Sequence, residues 1–259
     1  LRRCLQSICK YTREIKFEVV VVDNASSDGS AAMVRCDFPK VKLIRNRVNN
    51  FYTGANNQAL SQAQGKYFLI LNSDMWLKTN ALKAMVSFMN RHPKVGAIEP
   101  LQLYEDGRVA PTGSRHNTVI TDFMELTWLG RKLASPKIIR RFRMATKNRR
   151  HIWSAAVICD AALITRTGLV RKLGGYDEKL KLYYTENDLC QKIQRAGFKT
   201  YHVGNIKLWH RVSASTDKMD WKAISSIYTS DAYQYHRKWG NYFTAYGLWL
   251  MLKLNNLAI

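Results

Sequence analysis

The sequence predicts an α/β protein: a mostly parallel central sheet flanked by helices, with a helical, aromatic-rich C-terminal extension. Three observations predict it. Short β-branched runs alternate with segments of helical period over the first hundred residues. Each run stops abruptly in polar residues, the pattern of strands that end at one sheet edge. The 46% hydrophobic content of a 259-residue chain is enough to fill a core, which excludes global disorder.

The elements follow in order. Leu1, Leu5 and Ile8 stand at helical spacing. Residues 17–22, Phe-Glu-Val-Val-Val-Val, read as a buried strand that ends in Asp23-Asn24-Ala25-Ser26-Ser27-Asp28-Gly29-Ser30, loop chemistry leading into a helix. A strand at 41–44 ends in polar 45–50, and a helix follows over 53–63. A strand at 67–71 stops at Asn72-Ser73-Asp74; a helix at 80–91 and a strand at 95–99 complete the first half. Residues 129–150 form a basic block, read as a solvated loop and helix face or as a surface for anionic headgroups. Then come a strand at 159–166, a short helix at 167–173, a helix at 186–196, strands at 199–202 and 206–210, and an aromatic helix at 225–239 whose rings are read as packing. Residues 1–215 are taken as the main domain, divided at residue 100, and 216–259 as the extension.

Charge narrows the partners. Forty-one Lys and Arg against 19 Asp and Glu give +22, which favours an anionic membrane surface, phosphorylated substrates or nucleic acid. The basic residues follow no nucleic-acid-binding motif, so no nucleic-acid partner is expected. Five dispersed cysteines without C-x-x-C spacing read as reduced cytosolic thiols. The apolar run 246–254 is too short to span a bilayer. A cytoplasmic protein, peripheral at the inner face of the membrane, is expected.

Three sheet-end loops, at Asp23, Asn49-Asn50 and Asp74, point to a nucleotide pocket. Asp74, with Asn72 two residues before it, suits a hard divalent cation held together with substrate phosphates. His210, at a strand end, suits a metal or diphosphate. Glu186 and Asp188 open a helix behind Gly174-Gly175-Tyr176-Asp177-Glu178 and Leu182-Tyr183-Tyr184-Thr185. Taken alone, they read equally as helix-capping acids or as a general base against tyrosines.

In this order, the segments 20–30, 72–74 and 174–190 resemble family-2 glycosyltransferases of the GT-A fold, in particular a rhamnosyltransferase-like bacterial branch. The resemblance runs from Leu1 to about Trp239. It implies inverting transfer of a sugar, with rhamnose a candidate, from a nucleotide-diphosphate donor to a glycan or lipid-linked acceptor in envelope polysaccharide synthesis, helped by Mg²⁺ or Mn²⁺. By position, Asp23, with Asn24 and the Ser26–Asp28 turn, resembles the nucleotide contact; Asn57 resembles the asparagine near the nucleotide. Asn72 and Asp74 resemble the ends of the DXD motif, Glu186 the base, and Asp188 the aspartate after it. His210, in Leu208-Trp209-His210-Arg211-Val212-Ser213, resembles a late family histidine. The sequence departs from the family's pattern at Asn72 (Asp in DXD), Asn187 (often an acid), and Phe51 and Asp160 (both often Gly), and the family's first strand is missing, so the chain is read as a fragment. The rival readings are a truncated or inactive homologue acting as a binding module, and a nucleic-acid-binding protein.

Overall fold

The computed structural model describes residues 1–211 and 220–257. Val212 and Ser213 of the late histidine segment lie outside the described residues. The first half alternates as expected: α1 (Arg2–Tyr11), β1 (Val20–Asp23), α2 (Ser30–Asp37), β2 (Lys42–Arg45), α3 (Phe51–Gln62), β3 (Tyr67–Leu71), the two-residue β4 (Met75–Trp76), α4 (Ala81–Arg91) and β5 (Val95–Leu103). Strand β1 is shorter than its β-branched run suggests, because Phe17 is exposed and the chain pairs only from Val20.

The sheet is mixed, where the sequence suggested mostly parallel strands. Strands β1 and β2 pair in parallel as a separate two-stranded sheet. The larger sheet runs β3, β7 (Ala162–Arg166), β5, β8 (Lys199–His210), β4, with β6 (Ile152–Ser154) also on β8. Only β5 and β8 are parallel in it; β7 lies antiparallel to both β3 and β5. The cause is the connection. After β5 the chain leaves the sheet through α5 (Val119–Leu126), α6 (Trp128–Leu133) and α7 (Pro136–Phe142) and re-enters at the end where β5 left it, so β7 runs back antiparallel to β5 and no βαβ crossover dictates a parallel partner. Helices α6 and α7 occupy about half of the basic block. The strands expected at 199–202 and 206–210 are one strand, β8. A register shift opposite Pro100 and Leu101 carries it past Gly204, where a Cβ would meet the Arg149 carbonyl oxygen at 2.2 Å.

A cavity of about 850 Å³ opens between β1 and β3, lined by successive residues 19–22 and 67–71. Successive strand side chains point to opposite faces, so a cavity touching all of them runs along the strand edges.

The second half packs onto this frame. Helix α8 (Thr167–Lys172) follows β7, and α9 (Thr185–Arg195) precedes β8. Helices α10 (Trp221–Trp239) and α11 (Tyr242–Leu257) share an apolar cluster with the chain before α9: Leu180, Tyr184, Ala232, Tyr235, Leu248 and Leu252. The aromatics of α10 are therefore packing groups, as read from the sequence. Its one interior acid does more. Asp231 is buried and accepts backbone N–H bonds from Lys181, Leu182 and Tyr183 at 2.9–3.1 Å. Burial raises its pKa while those N–H groups pull it back down.

Asp231→Ala strands these donors. The expected loss is on the order of 3 kcal/mol, read as a lower urea midpoint with an unchanged slope.

Candidate active site

One end of the cavity is polar, lined by Asn24, Asn56, Asn72, Ser73, Asp74 and His210. Three elements deliver these groups. The end of β1 supplies Asp23, 5% exposed, whose Oδ1 accepts the Ser26 N–H at 3.1 Å and so folds the 23–26 turn. Its Oδ2 is buried without a hydrogen bond, 3.7 Å from Arg45 Nε. Asn24 donates to the Phe51 carbonyl and accepts from Asn46, which exchanges amide bonds with Gln58. This network ties the ends of β1 and β2 to α3. Asp28 caps its own turn by accepting the Ser30 N–H.

The second element is the β4–β8 pair, whose register sets Met75 opposite His210. It brings His210 Nε2 to 3.3 Å from Asp74 Oδ1. His210 Nδ1 lies 3.1 Å from the side-chain amide of Gln102 on β5, which holds the ring from the side away from Asp74. Asn72 holds the turn by donating its N–H to the Ala161 carbonyl, and its own carbonyl accepts from Met75.

The third is the start of α9. Tyr184 precedes it at φ 59°, a left-handed conformation that a bulky residue adopts only when its surroundings impose it. The Tyr184 hydroxyl donates to Asp122 Oδ2 at 2.7 Å, and its ring stacks on Tyr235 at 5.1 Å. Asp122 is held in turn by His236 and Asn117. This bend aims Glu186 at a pocket of tyrosines beside Asp160. Burial first, and the charge of Asp160 second, push the Glu186 carboxyl up to about 8. Asp160, raised to about 6 mainly by burial, accepts from the Tyr176 hydroxyl at 3.1 Å and the Thr185 hydroxyl at 2.9 Å. The charge of Glu186 reaches Tyr52, which lines the cavity and whose hydroxyl donates to the Asp160 carbonyl.

Of the expected residues, Asn24, Asn72, Asp74 and His210 line the cavity; Asp23, Ser26, Asp28 and Glu186 lie outside its lining, and two more, Asp188 and Asn57, are engaged elsewhere. Asp188, expected as a catalytic partner, lies two positions after Glu186 and therefore about 200° around the helix. It is fully buried, its oxygens on Lys192 at 2.9 Å and Lys238 at 2.6 Å, with Trp239 Nε1 donating at 2.8 Å. It fastens α9 to α10. Asn57, expected at the nucleotide, does not line the cavity. Its amide accepts the Tyr176 N–H and donates to the Tyr176 carbonyl and Glu178, clamping the loop after Gly175. Gly175, at φ 66°, has no room for a Cβ, which would sit 2.5 Å from Asn57 Oδ1. The neighbouring Asn56 faces the cavity instead.

The model of glycosyl transferase family 2 matches residues 1–173. The chain belongs to that family, and its class is glycosyltransferase. It is 24% identical over 233 residues to N-acetylglucosaminyl-diphospho-decaprenol L-rhamnosyltransferase of Mycobacterium tuberculosis, covering 84% of this chain and 74% of that protein. It is 28% identical over 223 residues to the O-antigen biosynthesis protein RfbC of Myxococcus xanthus, covering 83% of this chain and 16% of that protein. Among solved structures, the mannosyltransferase PcManGT of Pyrobaculum calidifontis, in complex with GDP-Man and Mn²⁺, superposes with TM-score 0.61 at 19% identity, over 92% of this chain and 59% of that one. GalNAc-T7 with UDP, GalNAc and Mn²⁺ gives TM-score 0.58 at 15% identity, over 80% of this chain and 40% of that one. The fold is GT-A.

The raised Glu186 carboxyl has a stability consequence. Its folded pKa lies above the ordinary value of 4.5, so the folded state binds the extra proton. Stability falls as pH rises between the two values and stays lower above the folded one. Glu186→Gln removes this loss. Its melting temperature is expected to exceed that of the wild type above about pH 8 and to converge with it near pH 4; thermal melts across that range check it.

Proposed function

We propose that the chain transfers a sugar, with inversion, from a nucleotide-diphosphate donor to a lipid-linked or glycan acceptor in cell-envelope polysaccharide synthesis. The carrying observation is the separation of two chemistries. Asp74 and His210 converge on the cavity from the β4–β8 pair. Glu186, its affinity for a proton raised, stands at the start of α9. A leaving diphosphate and an attacking hydroxyl need opposite help at the two ends of one transfer, which suits this separation. The rhamnosyltransferase and O-antigen relatives support an envelope acceptor and make rhamnose a candidate sugar.

The residues fit a divalent cation. The imidazole of His210 and the carboxylate of Asp74, both ligand types for a divalent cation, meet at 3.3 Å beside the cavity. Gln102 holds the ring of His210 from behind, as outer partners of metal-ligating histidines do. When bound, Mg²⁺ or Mn²⁺ would offset charge on the leaving diphosphate. The relatives solved with Mn²⁺ support this choice.

The other residues divide the work. Asp23, next to the cavity-lining Asn24 and with its Oδ2 3.7 Å from Arg45 Nε, is the candidate contact for the donor's base. Asn24, Asn56 and Asn72 line the path to the phosphates. Ionised Glu186 takes the proton of the acceptor hydroxyl as that oxygen attacks the anomeric carbon from the face opposite the diphosphate. Asp188 holds the start of α9 in place.

A thermal-shift panel of nucleotide sugars with and without Mn²⁺ tests the donor reading. Glu186→Gln is expected to lose transfer by at least 10³-fold while keeping donor affinity. Asp74→Ala is expected to abolish the Mn²⁺-dependent part of donor binding. Retained turnover in the first, or unchanged titrations in the second, would overturn that assignment.

Membrane contact is the second part of the proposal. Among the described residues no helix is long and apolar enough to cross a membrane. Helix α6 exposes Trp128, Leu129 and Leu133 on either side of Arg131 and Lys132, and Phe243 on α11 is 81% exposed. Apolar groups interleaved with cations suit an anionic lipid surface. The protein is expected to co-sediment with phosphatidylglycerol vesicles at low salt, to release at high salt, and to ignore phosphatidylcholine vesicles. Trp128→Ala with Phe243→Ala should weaken the binding; equal binding to both vesicles would refute the electrostatic part.

A further inference from the structure

We propose that Asp160 is a positioning residue for the base: Asp160 and Glu186 hold one proton between them through the hydroxyl of Thr185, and this shared proton sets the pH at which Glu186 works. The inference rests on the assignment of Glu186 as the base.

It starts from counting protons. Thr185 Oγ1 lies 2.9 Å from Asp160 Oδ2 and 3.2 Å from Glu186 Oε2. A hydroxyl carries one proton and donates one hydrogen bond. Its second contact is a hydrogen bond only when that carboxyl is itself protonated and donates back to Oγ1. With both carboxyls ionised, a carboxylate oxygen faces a hydroxyl lone pair. One proton on the pair satisfies both contacts. Two arrangements do so. In one, Asp160 carries the proton and Thr185 donates to Glu186. In the other, Glu186 carries it and Thr185 donates to Asp160. Only the first leaves Glu186 free to accept a proton.

The surroundings favour the second. The Tyr176 hydroxyl donates to the same Asp160 Oδ2 at 3.1 Å, which stabilises negative charge on Asp160. The other groups that face the pair are acidic or neutral. They are Glu99 on β5, Cys159 before β7, Tyr52 on α3, Cys190 on α9, and Tyr228 and Tyr235 on α10. The nearby cations of α9 and α10 are engaged elsewhere: Lys192 on Asp188 and the Gly175 carbonyl, Lys238 on Asp177 and Asp188. The resting pair therefore keeps its proton on Glu186 and its charge on Asp160, and the raised affinity of Glu186 for a proton has Asp160's charge as its second cause. The base becomes available as pH rises and the pair gives up this last proton.

Asp160→Asn keeps the volume and removes the charge, so Glu186 ionises at lower pH. The acid limb of the kcat/KM profile is expected to move down by about one pH unit, a tenfold gain relative to the plateau at a fixed pH on the limb. Asp160→Gly, which adds no amide, should move the limb the same way and serves if the asparagine is not accommodated. An infrared titration of the full chain reads the same proton without turnover. The wild type should show a protonated-carboxyl band persisting above the ordinary carboxylate range, lost in Glu186→Gln and shifted to lower pH in both Asp160 variants. A limb and a band unmoved in those variants, with Glu186→Gln inactive, would overturn the shared proton and leave the base assignment standing. Turnover retained in Glu186→Gln would instead overturn the base assignment, and the band would still report whether the proton is shared.

Discussion

Three consecutive backbone N–H groups, of Lys181, Leu182 and Tyr183, converge on the single carboxylate of Asp231. The site depends on this contact. The segment it holds leads directly into Tyr184, whose left-handed backbone turns the chain into α9 and aims Glu186. A bulky residue at positive φ costs on the order of 1–3 kcal/mol, so that bend persists only if both flanks are fixed. Asp231 fixes one flank. Asp122, through the Tyr184 hydroxyl, and Asp188, through Lys238 and Trp239, fix the others. Each of these anchors has a partner on α10 or is itself on it: Asp231 in the helix, His236 on Asp122, Lys238 and Trp239 on Asp188. A helix that the sequence read as an extension is thus the brace of the presumed base.

The acidic residues sort by what surrounds them. Asp122, Asp188 and Asp231 are buried and answered by a histidine, lysines or backbone N–H groups. Asp160 and Glu186 are answered mainly by hydroxyls and by each other. Hydroxyls share protons and do not supply charge, so burial raises the affinity of this pair for a proton, to about 6 on Asp160 and about 8 on Glu186. An ionised carboxylate kept at a cost in stability is a common mark of a site built for reaction.

Much of the fold was readable in the sequence, because hydrophobic period and loop chemistry are local signals. The strand at 67–71 and the helix at 80–91 fall within a residue of their expected bounds. The sheet's direction was not readable: β7 pairs antiparallel because of a long, irregular return through α5–α7, and no local period encodes that route. In the site, Asp74 and His210 were expected at a cation and do meet, since strand ends mark where a sheet gathers its loops. Asp188, read as a catalytic residue or as one that positions the helix start, takes the positioning place, and Asn57 leaves the nucleotide for the loop after Gly175, for one reason. Both lie near a functional residue in sequence, but a helix turns about 100° per residue, and their side chains face the interior. The signal for Asp231 was present and unused: it is the only acid in the helix Trp221–Trp239, which is rich in tyrosine and tryptophan. A lone acid in such a helix needs buried donors.

The cavity beside β1 shows why the two ends of the site differ in character. Its walls along 19–22 and 67–71 are strand edges whose other sides are hydrogen-bonded to β2 and β7. The polar end, by contrast, is tied across elements: Asn24 to α3, Asn72 to the turn before β7, His210 to Gln102 on β5. A chain segment pairing in the slot would stiffen β1 from its open edge, since an unpaired edge is the least restrained part of a sheet. It would thereby steady Asp23 at the strand's end. Glu186 would feel little of this, because its restraints come from α10. The polar end is therefore governed by the sheet and Glu186 by the helix. Under the proposed roles, a change that fills the slot acts on donor affinity before it acts on proton transfer.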